Sequence, residues 1–145
     1  MATSPDGGKI LIADDAEILN NLLKDHFEEN GFEVVQAFDG IECKSIFLQH
    51  KPDVAVLDIQ MPKASGIEVT RWVRSHLPEV GVLILTAYDD EAFVHEAQEA
   101  GALGYLVKPL DIPHIIPTLE TALARAQDLA GLKESEEKLI SALQN

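Results

Sequence analysis

The chain has 145 residues and a mass of 15.9 kDa, enough for one domain that removes roughly two-thirds of its unfolded surface from water. Hydrophobic residues make up 46% of it, too many for a disordered chain, and a formal net charge of −14 opposes nucleic acid or an anionic membrane as a direct partner. The single cysteine, Cys43, excludes an internal disulfide and favours a cytoplasmic setting, and no apolar run suits a membrane span or a signal peptide.

Residues 1–8 are small, polar and glycine-rich, the composition of a loose tail. Lys9 to Ala13 is a short apolar run, as in a buried strand, and it ends at Asp14-Asp15. Ile18, Leu19, Leu22, Leu23 and Phe27 recur at helical spacing until Asn30-Gly31 stops the helix. A second strand is predicted from Phe32 to Ala37. Asp39 and Glu42 then form a capping box that opens a second helix, which Lys51-Pro52 ends. Val54 to Leu57 is unbroken and apolar, as in a central parallel strand, and it ends at Asp58. Ser65 and Glu68 cap a third helix carrying Ile67, Val69, Trp72 and Val73, with Pro78 as its stop. Trp72 fits either the core face or a half-exposed position. Val80 to Leu85 is the fourth strand, ending at Thr86, and Asp89 to Ala100 the fourth helix. Gly104 to Val107 is the last strand, ending at Lys108-Pro109.

A long helix is predicted from Asp111 to about Ala130. Pro113 is tolerable in its first turn, whereas Pro117 removes a backbone bond and is expected to bend it. Beyond Gly131, Leu132, Leu139 and Leu143 mark a helical linker over 131–145 whose apolar side lacks an obvious seat within one domain. Strand and helix thus alternate five times with short connections, the pattern of an α/β, doubly wound, five-stranded parallel sheet over residues 9–130.

Such sheets bind ligands outside the carboxyl ends of their strands. There this chain places Asp14 and Asp15, Asp58, Thr86 and Lys108. Alone, each has an ordinary reading. Asp14 or Asp15 fits a helix N-cap, Asp58 a loop residue, Thr86 a turn hydroxyl and Lys108 a solvated lysine. Jointly they point to chemistry. Three carboxylates in one pocket repel each other, and a hard cation such as Mg²⁺ offsets them, with Lys108 as a fixed positive charge. No histidine stands at a strand end to serve as a base. Those at 26, 50, 76, 95 and 114 fall in or beside helices, on expected solvated surface, and Cys43 is expected to be inert. These parts suit phosphoryl transfer, which depends on positioning and charge neutralisation, with a carboxylate as nucleophile.

The ordered set Ile12-Ala-Asp-Asp15, Val56-Leu-Asp-Ile-Gln-Met-Pro62 with Gly66, Leu85-Thr-Ala87 and Gly104-Tyr-Leu-Val-Lys-Pro109 resembles the receiver domain of two-component response regulators, from Lys9 to about Arg125. The resemblance implies a flavodoxin-like (βα)5 fold with strand order 2-1-3-4-5. It implies that Asp58 accepts a phosphoryl group from a phosphohistidine on a histidine kinase or phosphotransfer protein, docked mainly on the first helix. Asp15, Asp58 and the backbone carbonyl of Gln60 would contact Mg²⁺, with Asp14 acting mostly through a metal-bound water. Thr86 would hydrogen-bond one phosphoryl oxygen and Lys108 pair with another. Thr86 and Tyr105 would form a switch that alters the face made by the fourth helix, fifth strand and fifth helix, although Tyr105 also fits a partly buried strand aromatic. The Lys108-Pro109 bond would be cis.

Gln60, Ala87 and Tyr88 occupy positions where the family tunes acyl-phosphate lifetime. Small Ala87 leaves the site open and bulky Tyr88 is placed to screen water, which predicts slow to moderate self-dephosphorylation. The chemistry is then self-directed rather than that of an enzyme on a separate substrate. The last helix and tail also resemble those of receivers in ANTAR-type antiterminators or hybrid regulators. That makes them the start of an output region or a candidate homodimer surface. Two rival readings remain open: a phosphohydrolase of related fold, disfavoured by the lack of a cap insertion after Asp58, and a phosphate-independent interaction or dimerisation module of receiver fold.

Overall fold

The computed structural model describes residues 8–87 and 91–144. Its elements alternate: β1 (Lys9–Ala13), α1 (Glu17–Glu29), β2 (Glu33–Ala37), α2 (Gly40–His50), β3 (Val54–Asp58), α3 (Gly66–His76), β4 (Gly81–Ala87), α4 (Glu91–Ala100), β5 (Gly104–Lys108) and α5 (Ile112–Gln144). The strands form one parallel sheet in the order β2-β1-β3-β4-β5, the flavodoxin-like (βα)5 arrangement.

Successive strand residues face opposite sides of the sheet, so each apolar run supplies two cores. Leu11, Ala55, Leu57, Val82 and Ile84 point to one layer with Cys43, Phe47, Ile67 and Val73 from α2 and α3. Ile10, Ile12, Val54, Val56, Leu83 and Leu85 point to the other with Leu23 and Phe27 from α1 and Ile115 and Leu119 from α5. β3 is buried at every position, which is why it reads as a continuous apolar run.

Local chemistry sets the helix starts. Asp39 accepts a hydrogen bond from the Glu42 amide at 2.8 Å, and that amide, more than nearby Lys63, holds the Asp39 carboxyl below its ordinary pKa. Ser65 Oγ accepts from the Glu68 amide at 3.1 Å. α1 differs: its N-cap is Ala16, so neither Asp14 nor Asp15 has the cap role. Instead Asp14 Oδ1 accepts from the Ala16 amide at 2.8 Å, turning the chain into the helix.

Several expected core residues face outward. α1 buries Asn20, Leu23 and Phe27, whereas Ile18 is 86% exposed and Leu22 is also exposed. α2 buries Cys43 and Phe47 and leaves Ile41 and Leu48 in solvent. Trp72 is half-buried, stacked on His76 at 4.7 Å between ring centroids and tilted against Phe47 at 6.1 Å. His26 departs from the expected solvated surface: it is half-buried, and its Nε2 is enclosed with no hydrogen-bond partner among the described residues. Burial, reinforced by Asp39 and Glu42, pushes the Cys43 thiol far above its ordinary pKa and keeps it protonated.

α5 continues through Gly131 as one 33-residue helix, with Pro117 in its interior, rather than stopping near Ala130. Its inner residues up to Ala126 are buried. Beyond them Leu132, Leu139, Ile140 and Leu143 are exposed, and Lys133 reaches back to Glu79 at 3.3 Å. No helix among the described residues is long and apolar enough to cross a membrane.

Candidate functional site

Parallel strands deliver their last residues to one rim. Asp14 follows β1, Asp58 ends β3 and Lys108 ends β5. Residues 94 positions apart thereby meet: Lys108 Nζ donates to Asp14 Oδ2 at 3.1 Å and lies 3.4 Å from Asp58 Oδ1. Asp14 is fully buried and Asp58 8% exposed, while Asp15 beside them is open to solvent. Each of the three offers a carboxylate oxygen, and these oxygens all lie within 4.8 Å of one another.

The rim is short of positive charge. Burial foremost, then the Asp14 charge, pushes the Asp58 carboxyl up to about 6, against the pull of Lys108 and the Gln60 amide. That amide lies 3.4 Å from Asp58 Oδ1. For Lys108, burial works against the charged form, but Asp58 and Asp14 outweigh it and the pKa is raised. One ammonium among three carboxylates leaves negative charge in a partly enclosed space. All-oxygen donors of this kind fit a hard divalent cation. Beside them opens a cleft of about 710 Å³ lined by Asp15, Asp58, Gln60, Met61, Phe93 and Lys108.

Thr86 and Tyr105 belong to a neighbouring place. Thr86 is buried and pairs in register with Val107, one residue beyond the Asp58–Leu85 pairing. Tyr105 is 45% exposed. Both line a second cavity of about 300 Å³ with Val94 and His95 of α4. The Lys108–Pro109 peptide is cis. Tyr88, together with the expected helix start at Asp89, lies outside the described residues, as does the tail over residues 1–7.

One supporting residue escaped the sequence reading. Asn20 is fully buried on α1, and its Nδ2 donates to the carbonyls of Asp14 at 3.0 Å and Ala37 at 2.9 Å. Gln36 Nε2 in turn donates to Asn20 Oδ1 at 2.9 Å. Asn20 ties the helix to the ends of β1 and β2 and so braces the acidic pair. The available signal was its spacing: 20, 23 and 27 form the buried stripe, where a polar residue requires partners.

Comparison with known proteins agrees with this geometry. A model of the response regulator receiver domain matches residues 10–120. The transcriptional regulatory protein PdtaR of Mycobacterium tuberculosis is 34% identical over 126 residues, which cover 86% of this chain and 61% of that protein. The chain thus spans about three-fifths of the length of that relative. The polar-differentiation response regulator DivK of Brucella anthropi is 30% identical over 119 residues, covering 81% of this chain and 97% of DivK. Among solved structures, the receiver domain of the Francisella response regulator 1452 superposes with a TM-score of 0.76 at 33% identity, over 81% of this chain and 98% of that one. A response regulator receiver domain protein of Clostridium thermocellum gives 0.74 at 32% identity, over 86% and 97%.

Proposed function

The chain belongs to the response regulator receiver family, and on that premise we propose that it takes a phosphoryl group from a phosphohistidine of a histidine kinase or phosphotransfer protein onto Asp58. The observation that carries this reading is Lys108 Nζ lying against both Asp14 and Asp58, with Asp15 completing a cluster of carboxylates. An oxygen of ionised Asp58 attacks phosphorus. A P–O bond forms, the P–N bond to the donor imidazole breaks, and its electron pair leaves on the ring nitrogen. With its pKa near 6, Asp58 is mostly ionised at neutral pH. Lys108 pairs with one phosphoryl oxygen, and the Thr86 hydroxyl donates to another. Asp15, Asp58 and the Gln60 carbonyl would hold Mg²⁺, with Asp14 behind them, and the cation would supply charge neutralisation at the phosphoryl oxygens. Attack of water on phosphorus then breaks the P–O bond to Asp58, releases inorganic phosphate and regenerates the carboxylate, so the domain dephosphorylates itself slowly to moderately rather than acting as an enzyme on a separate substrate.

The message then leaves by the second cavity. Thr86 is drawn towards the phosphoryl group, Tyr105 turns inward from its half-exposed position, and the α4-β5-α5 face changes shape. Residues 9–130 are the receiver body. The distal part of α5, from 131, is a helical linker towards an output of the ANTAR-type or hybrid-regulator kind, or a surface for a second copy. The longer PdtaR relative, a transcriptional regulatory protein by name, supports the former. A cytoplasmic location and the absence of direct nucleic-acid contact by this chain follow from the same role and the acidic surface. Incubation with Mg²⁺ and a small phosphodonor, followed by intact-mass measurement, tests the reading. One phosphoryl group is expected on the natural chain and none on Asp58→Asn. An Asp58→Asn chain that is modified equally contradicts it.

A further inference from the structure

The loop joining β3 to α3, residues 59–65, carries Gln60 and much of the cleft wall; it buries Ile59 and Ala64 in the core, and the Ala64 amide donates to the Pro62 carbonyl at 2.9 Å. Its ends are tied by the Ile59 amide to the Leu85 carbonyl at 3.0 Å and by the Gly66 amide to the Ile59 carbonyl at 3.0 Å. Its middle rests on another element. The Gly40 amide, at the start of α2, donates to the Pro62 carbonyl at 3.2 Å. Gly40 is buried, and a Cβ placed there would lie 2.3 Å from the Ala64 carbonyl oxygen. Glycine is therefore required by contact between two backbones.

Asp39 adds a second tie. Its Oδ1 caps α2 through the Glu42 amide, while its Oδ2 lies 3.5 Å from Lys63 Nζ. Lys63 itself has φ of 72°, the left-handed region that non-glycine residues seldom adopt. A single carboxylate thus joins the helix cap to the loop.

We propose that Asp39, Gly40 and Lys63 are positioning residues for the cation: the first turn of α2 is the seat that holds the 59–65 loop, and with it the Gln60 carbonyl, at the rim. The inference rests on the reading that this rim binds Mg²⁺. Groups that orient metal ligands from behind commonly change affinity when altered.

Titration of the full chain with magnesium chloride by calorimetry, with circular dichroism and melting in EDTA alongside, tests it. No Mg²⁺ binding by the natural chain would overturn the functional reading and this inference together. If the natural chain binds, Gly40→Ala is expected to remain folded and to bind Mg²⁺ about tenfold more weakly, and a constant within about twofold of the natural one overturns the inference alone. A merely structural glycine would lower the melting temperature and leave the affinity unchanged. If Gly40→Ala fails to fold, Lys63→Gly decides, because glycine accepts the left-handed backbone. Deleting a positive charge near the rim tightens Mg²⁺ binding if charge alone matters. Loss of the tether weakens it, so weaker binding supports the inference and equal or tighter binding overturns it.

Discussion

The sheet's carboxyl-end rim and the distal half of α5 both carry charge, and they treat it in opposite ways. At the rim, Asp14 and Asp58 are buried and Lys108 reaches them from 94 and 50 positions away along the chain. On distal α5, Lys138 and Glu134 pair loosely at 3.9 Å one turn apart, both exposed. Bringing charges from distant strands into a partly dry space is costly. The fold bears that cost where a cation would offset the excess of carboxylates. The helix extension bears almost none, so its sequence is free to serve association or linkage.

The largest expected difference between the two regions lies in core dependence. Leu119 of α5 is fully buried, and Leu119→Ala should cost about 2–5 kcal/mol of unfolding free energy in urea melts. Leu139, on the same helix, is 61% exposed, and Leu139→Ala should change stability by less than about 0.5 kcal/mol. Equal costs would show that distal α5 is part of the folding unit.

A smaller effect sharpens the rim. The folded-state pKa of Asp58, about 6, stands above its ordinary 3.8. The native state therefore binds a proton more tightly than the unfolded one. In metal-free buffer this group's contribution to stability is fully present below about pH 4 and is lost as pH rises through about 6. Thermal melts should show that decline, and Asp58→Asn should flatten it and raise the melting temperature at neutral pH. A flat natural profile over that window would mean that the buried carboxylates are compensated in some other way. Added Mg²⁺ should stabilise the natural chain above pH 6 and do little near pH 4, where Asp58 is protonated.

The smallest effect concerns assembly. Leu132, Leu139 and Leu143 line the exposed part of α5. Sedimentation with a phosphate mimic should show a mass increase if a second copy covers them, and Leu139→Asp should abolish it. A monomer under both conditions would leave the linker role as the reading of that segment.

The contrast also explains what the sequence made legible. The apolar runs of β1, β3 and β5 stop at or just before Asp14, Asp58 and Lys108, so the pattern alone brings these three to one rim, whereas Thr86, at the end of β4's run, lines the neighbouring cavity. Asn20 was obscured because helical spacing was read from apolar residues, and Ile18 and Leu22 supplied a similar signal while facing solvent. The seat at Gly40 depends on a contact between α2 and a loop more than twenty residues away, which no local pattern encodes. The continuity of α5 through Gly131 reflects the weak cost of one glycine in a long helix, about 1 kcal/mol, against bonds on either side.

Locating the modified residue tests the central claim most directly. After exposure to a phosphodonor, the natural chain should yield a phosphorylated peptide containing Asp58 with Mg²⁺ present and none when EDTA removes it. Modification at another residue, or the same yield at Asp58 without a divalent cation, would contradict the account.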